Sequence, residues 1–345
     1  TGGFNVAIGY QALSLEDAHG HNIAIGYQAL ANQDAGANAY NVAVGSNAGN
    51  DITTGVRNVL IGGLAGSLMT TAEHNIGIGY NALGGGSSTA VTGSNNVVIG
   101  SSAGSNTSTG SNNSLYGSGA GQNFTTAPHN VAMGYAALHS ATDQVEDTSS
   151  RNTAVGFESL ANQGLSASSG YNAALGYQAA AALTTGIYTV AIGGRALGGG
   201  AITGAGNIGV GYKAGYAITE GADNVAIGHQ ALMTEDGNGR NVAIGTSALT
   251  TQNAGADAYN VAIGWNAGYG VSTSIQNVLV GGIAGASLNT GSKNVAIGMQ
   301  ALQSETAHGY NVAVGYQALL SLNAGANAYN VAVGYHAGYS VTTGI

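Results

Sequence analysis

The chain contains no cysteine, a single proline and only six lysine and arginine residues among 345. Without cysteine there is no disulfide framework and no thiolate metal site. With so few cations against 15 acidic residues, the formal net charge is −9, which argues against a phosphate-backbone partner such as nucleic acid. No apolar run approaches the roughly 20 residues of a membrane span, and no signal peptide is visible. Charged side chains make up only 6% of the chain. Disorder would require high charge or few β-branched residues, whereas Val and Ile recur here at regular intervals. Glycine is what the chain has in abundance, with 60 residues.

The glycines keep time with asparagines. A unit opens at Asn5, Asn22, Asn41, Asn58, Asn75, Asn96, Asn113, Asn130, Asn152 and Asn172, is marked once by Thr189, and resumes at Asn207, Asn224, Asn241, Asn260, Asn277, Asn294, Asn311 and Asn330. These are 19 units, most spaced by about 17 residues and the rest by about 18 to 22. Four residues after each start stands a glycine, among them Gly9, Gly26, Gly45, Gly62, Gly228, Gly245, Gly264, Gly281, Gly298, Gly315 and Gly334. Three residues further on is Ala in every unit except one, where Ser159 replaces it. A longer cassette overlies this period: "DAGANAYNVAVG" at 34–45, "NAGADAYNVAIG" at 253–264 and "NAGANAYNVAVG" at 323–334.

A recurring glycine and alternating apolar residues disfavour helix. "NVAIG", then "YQAL", then a polar "TTG" or "AHG" reads as strand, bend, strand, loop. One such unit cannot bury its own apolar side chains, but neighbours above and below can. The expected fold is all-β: a parallel β-solenoid or β-roll of about 19 coils, forming one continuous array over 1–345. At about 4.8 Å per coil, it would be about 90 Å long. Wider spacings, "NNSLYG" and the polar "TDQVEDTSSR" at 142–151 predict a loop-bearing middle at about 75–207. With no initiating Met and an end partway through a repeat, the sequence reads as a fragment of a longer fibre.

Within the strand, Val6 and Ile8 are expected to face the coil interior, and Ala7 to lie against another chain, since small residues permit close backbone approach. The unit asparagines would stack as an amide ladder. The glycines would form sharp corners.

"NVAIG" followed by a small or aromatic residue and Ala resembles the head repeats of trimeric autotransporter adhesins. "NVAIGYQAL" with its "TTG"-type loop is similar to repeats of bacteriophage tail fibres. The resemblance implies a β-roll with three chains around one axis, on a cell surface or virion. It extends over the whole chain, although adhesin heads place Ser between Asn and Val, and Asn5 here runs straight into Val6.

Reactive constellations are sparse. His21, His74 and His129 precede unit asparagines, and the closest pair, His19 and His21 in "HGHN", is not expected to have a third ligand beside it, so these read as solvated corner residues. Glu16, Asp17, Asp34, Asp51, Glu73, Asp143, Glu146 and Asp147 are scattered, without the paired geometry of a glycosidase. Asp34 and Asp257 do not make a calcium-binding β-roll motif. The "GGG" runs at 84–86 and 198–200 lack the partners of a phosphate loop. Neither a catalytic residue, nor a metal ligand, nor a cofactor is expected. The position after the unit glycine is often aromatic, and Tyr10, Tyr27, Trp265, Tyr316 and Tyr335 could contact glycans, though a structural role as coil-edge cover weighs more. Asn106, Asn112 and Asn123 head Asn-x-Ser/Thr glycosylation sequences, on loops expected to point outward.

The functional expectation is a non-enzymatic, homo-oligomeric extracellular fibre segment, a tail-fibre or surface-filament shaft that contributes to attachment, without membrane insertion. The alternative is a carbohydrate- or receptor-binding adhesin head.

Overall fold

The structure is a computed structural model that describes residues 3–16, 19–84, 90–123, 125–139, 151–162 and 170–343. The chain divides into two compact units, 1–172 and 173–345. The first holds β1 (Val6–Ile8), β2 (Ile23–Ile25), β3 (Val42–Val44), β4 (Val59–Ile61), β5 (Ile76–Ile78), β6 (Val97–Ile99), β7 (Ser114–Tyr116), β8 (Val131–Met133) and β9 (Thr153–Val155). The second holds β10 (Ala173–Leu175), β11 (Val190–Ile192), β12 (Ile208–Val210), β13 (Val225–Ile227), β14 (Val242–Ile244), β15 (Val261–Ile263), β16 (Val278–Val280), β17 (Val295–Ile297), β18 (Val312–Val314) and β19 (Val331–Val333). The protein is an all-β parallel solenoid with turns of about 17 residues.

Within each unit every strand pairs in parallel with the next, residue on equivalent residue: Val6 with Ile23, Ala7 with Ala24, Ile8 with Ile25. The irregular region keeps this register. Ile76 pairs with Val97 and Val131 with Thr153, although both of these coils are longer than the common repeat. Most of the loop at 142–151 lies outside the described residues, as do Asp17, Asp143, Glu146, Asp147, Gly85 and Gly86.

Among the described residues, each coil has one strand, not two. The "YQAL" segment fails to extend because alternate residues have left-handed backbone: Gln11 at φ 54° and Leu13 at 53°, repeated at Gln28 and Leu30. The chain there is not extended but still bonds to its neighbour. Gln28 N–H donates to Tyr10 O at 2.8 Å, and Leu13 N–H to Ala29 O at 2.9 Å. Cross-coil bonding therefore satisfies the backbone without a second strand.

The strand faces are opposite to the sequence expectation. The middle residue of the triplet is buried in every strand from β2 to β19, whereas the flanking Val and Ile are exposed or half-exposed throughout. Ala243 and Ala262 lie fully inside their coils; Ala7, in the first coil, is exposed. Volume explains the inversion. The interior opposite the strand is filled by the leucine that closes the "YQAL"-type segment, such as Leu30, Leu83, Leu232 and Leu249, each fully buried. A thin coil with Leu on one wall has room for Ala on the other. In the coil of β4 the sizes are exchanged: the strand offers Leu60 and the opposite wall offers Gly66, whose missing Cβ would stand 2.8 Å from Leu60 Cδ1.

Candidate binding surface and the ladder behind it

The unit asparagines, half-buried at Asn5 and Asn330 and buried between them, link each coil to the next. In unit 1–172, Asn22 N–H donates to Asn5 Oδ1 at 2.9 Å, Asn41 to Asn22 at 3.0 Å, Asn58 to Asn41 at 2.8 Å and Asn75 to Asn58 at 2.9 Å. In unit 173–345 the same bond runs from Asn224 to Asn207, Asn241 to Asn224, Asn260 to Asn241, Asn277 to Asn260, Asn294 to Asn277, Asn311 to Asn294 and Asn330 to Asn311, at 2.9 to 3.3 Å. In many coils the amide nitrogen also secures a carbonyl of the loop that closes the coil. Asn41 Nδ2 donates to Gly55 O at 2.7 Å and Asn260 Nδ2 to Ser274 O at 2.8 Å. Asn fits because a single neutral side chain both accepts and donates.

The corner glycines carry φ values from 130° to 144° in this series, a region open essentially to glycine alone. Their packing excludes a side chain as well. A Cβ on Gly62 would meet Gly79 O at 2.4 Å, and one on Gly298 would meet Gly315 O at 2.3 Å. At Gly334 no neighbouring carbonyl is so close, and only the Ala337 methyl is near.

Between asparagine and glycine the strand presents its outer face to solvent. The residues facing out are the one before the asparagine, the two aliphatic strand positions and the one after the glycine. The result is an aliphatic floor between two ridges. Tyr10 stacks on Tyr27 at 5.5 Å and Tyr316 on Tyr335 at 5.4 Å along the ridge after the glycine. Trp265 stands on this ridge and is 56% exposed. The ridge before the asparagine was only partly legible, through its histidines. It stacks Phe4 on His21 at 5.0 Å, His21 on Tyr40 at 4.7 Å and Tyr310 on Tyr329 at 5.0 Å. Its cations lie over its rings, with Arg240 5.5 Å from the Tyr259 centroid and Lys293 5.1 Å from Tyr310. On the same ridge, Arg57 meets His74 at 3.2 Å. Reading one residue before each asparagine, rather than histidine alone, exposes this row.

The glycosylation sequences are placed differently from one another. Asn112 is exposed; Asn106 is half-buried, its amide donating to Asn123 Oδ1 at 2.6 Å; Asn123 is buried, its residue only 3% accessible. The expectation of outward loops therefore does not hold for Asn123, whose side chain is a rung between coils.

The scattered carboxylates also find an order. Glu16, Glu235 and Glu305 occupy one and the same position relative to their unit asparagines Asn5, Asn224 and Asn294, each in the coil preceding a cassette. Glu235 and Glu305 are fully buried. Glu305 accepts N–H bonds from Thr306, Ala307 and His308 at Oε1 and from Ala324 at Oε2. Glu235 accepts fewer, from Asn238 N–H at 3.2 Å and Asn241 Nδ2 at 3.5 Å. Burial pushes its carboxyl from 4.5 up to about 7, despite the lowering effect of the Asn238 bonds. In two coils the same position holds glutamine, Gln33 and Gln252, both buried. His19 does have acidic neighbours, Glu16 in its own loop and Asp34 across the coil boundary, while His21 belongs to the outer aromatic ridge.

No protein-family model matches this sequence, and no curated protein matches it. Among the described residues, no helix is long and apolar enough to cross a membrane.

Proposed function

We propose that the chain is a non-enzymatic structural segment of an extracellular fibre, in which copies associate through the outward Val/Ile face. The observation that carries this reading is the uncovered face itself. Parallel sheets are ordinarily covered on both sides, and the coil interior covers only one side here. Ten strands in unit 173–345 each present two part-exposed aliphatic side chains, a contiguous apolar face of the kind that marks protein–protein contact. Closed rotational symmetry would remove such a face from water on every copy at once. Three copies are favoured by the resemblance to trimeric adhesin heads and tail fibres, which also supports a cell-surface or virion setting. Sedimentation equilibrium of the purified chain tests association: about three times 33.7 kDa is expected, and a persistent single-chain mass at micromolar concentration would refute it.

The stacked ridges favour a second reading, a glycan-binding head. Tyr10, Tyr27, Trp265, Tyr316 and Tyr335 expose ring area of the kind that sugars stack against. Glycan-array binding that disappears in Trp265→Ala and Tyr335→Ala, while the oligomer mass is unchanged, would favour this reading over a shaft alone.

A further inference from the structure

We infer that Glu16, His19 and Asp34 form a site for a divalent transition metal of the zinc class, clipping the first coil to the second. Glu16 and His19 come from the loop closing the first coil, and Asp34 opens the cassette loop of the second. One ligand atom from each, two carboxylate oxygens and an imidazole nitrogen, lies within 4.8 Å of the other two. This is the one group of three such side chains among the described residues.

The site shows preparation. Glu16 Oε1 accepts the His19 backbone N–H at 2.9 Å, and Glu16 Oε2 lies 3.4 Å from Asn22 Nδ2, which fixes the carboxylate against the ladder. Such bonds are the outer support that orients a metal-ligating carboxylate. An independent observation is an unmet need: His19 Nδ1 is buried without a hydrogen-bond partner. A buried polar atom of that kind requires a partner, and a cation beside two carboxylates supplies one. Zinc bonds of about 2.0–2.2 Å in tetrahedral geometry put ligands about 3.3–3.5 Å apart, so closure requires a shift of about 1.5 Å or less. Asp34 is exposed and can rotate to make it. Two oxygens and one nitrogen, leaving a fourth position for water, suit zinc or cobalt; calcium would demand six to eight oxygens.

The repeat supplies its own comparison. The same spacing recurs at Glu305, His308 and Asn323, and at Glu235, Asn238 and Asn253. At the first of these two, His308 Nδ1 stands 3.4 Å from Glu305 Oε1 and is likewise buried without a hydrogen-bond partner. That position therefore has the carboxylate and imidazole but has Asn323 in place of the second acid. The remaining one has neither the imidazole nor the second acid.

The test uses the full chain without an affinity tag, stripped of metal and titrated with Co²⁺ followed by visible absorption, then with Zn²⁺ in competition. One equivalent is expected to bind, with the d–d bands of a low-symmetry site, and to raise Tm. His19→Gln and Asp34→Asn should each weaken binding at least tenfold, while His21→Gln, on the outer ridge, should leave it unchanged. Asn323→Asp completes the second constellation and should raise the stoichiometry from one to two. Absence of Co²⁺ binding, binding indifferent to His19→Gln and Asp34→Asn, or stoichiometry fixed at one in Asn323→Asp would overturn the assignment.

Discussion

Within β14, Val242 and Ile244 face outward, while the smaller Ala243 between them is completely buried. The usual association of size with burial fails because the coil interior is one side chain deep from each wall, and Leu249 already occupies it. The inner face is limited by volume; the outer face is limited only by what covers it. A two-residue alternation reveals that a strand has two faces, but it does not say which one is enclosed.

The largest effects should come from the corner that holds the two faces in place. Gly62→Ala adds a Cβ 2.4 Å from Gly79 O at a φ of 134°, and no rotamer relieves a backbone clash. We expect a loss of about 3 kcal/mol or more, from the forbidden backbone region together with overpacking, measurable by denaturant unfolding. Gly334→Ala, which lacks that carbonyl, should lose less.

The contrast between faces can be sharpened within one strand. Ala243→Leu should cost about 1–3 kcal/mol through overpacking, and Leu249→Gly in the same chain should recover part of it, reproducing the Leu60 and Gly66 pairing. Ile244→Leu, on the outer face, should shift chain stability by well under about 1 kcal/mol. Equal costs at 243 and 244 would erase the distinction.

Much of this architecture was legible in the sequence. The asparagine ruler marked every coil but that of Thr189, since a buried ladder tolerates little else, and the glycine ruler marked every corner, since neighbouring carbonyls leave no room for a Cβ. The second strand was misread because "YQAL" has the residue types of a strand; nothing in Gln11 or Leu13 announces a left-handed backbone, which the register with the next coil imposes. The face assignment was misread because interior volume belongs to the closed coil, not to any one segment. The order of Glu16, Glu235 and Glu305 was present in their fixed offset from the asparagine ruler, but contact between Glu16, His19 and Asp34 depends on how two coils stack.

A smaller effect should appear with pH. Because the folded Glu235 carboxyl titrates near 7 rather than 4.5, the folded state holds its proton more tightly than the unfolded state. Its contribution to stability is therefore complete below about pH 4.5 and is lost as pH rises through 7. Glu235→Gln mimics the protonated form, as Gln33 and Gln252 do at the same position of other coils. We expect it to flatten the decline between about pH 5 and 7.5 and to raise Tm modestly at about pH 8; an unchanged slope would assign the pH dependence elsewhere.

The proposed cover of the outward Val/Ile face by other copies of the chain is tested most directly by mass in solution with that face altered. Sedimentation equilibrium of the unaltered chain should give about three times 33.7 kDa, and replacing Ile227, Ile244, Ile263 and Ile297 by Thr should yield a single-chain species with the circular dichroism of the parent. A parent chain of single mass, or an oligomer that survives all four replacements intact, would contradict it.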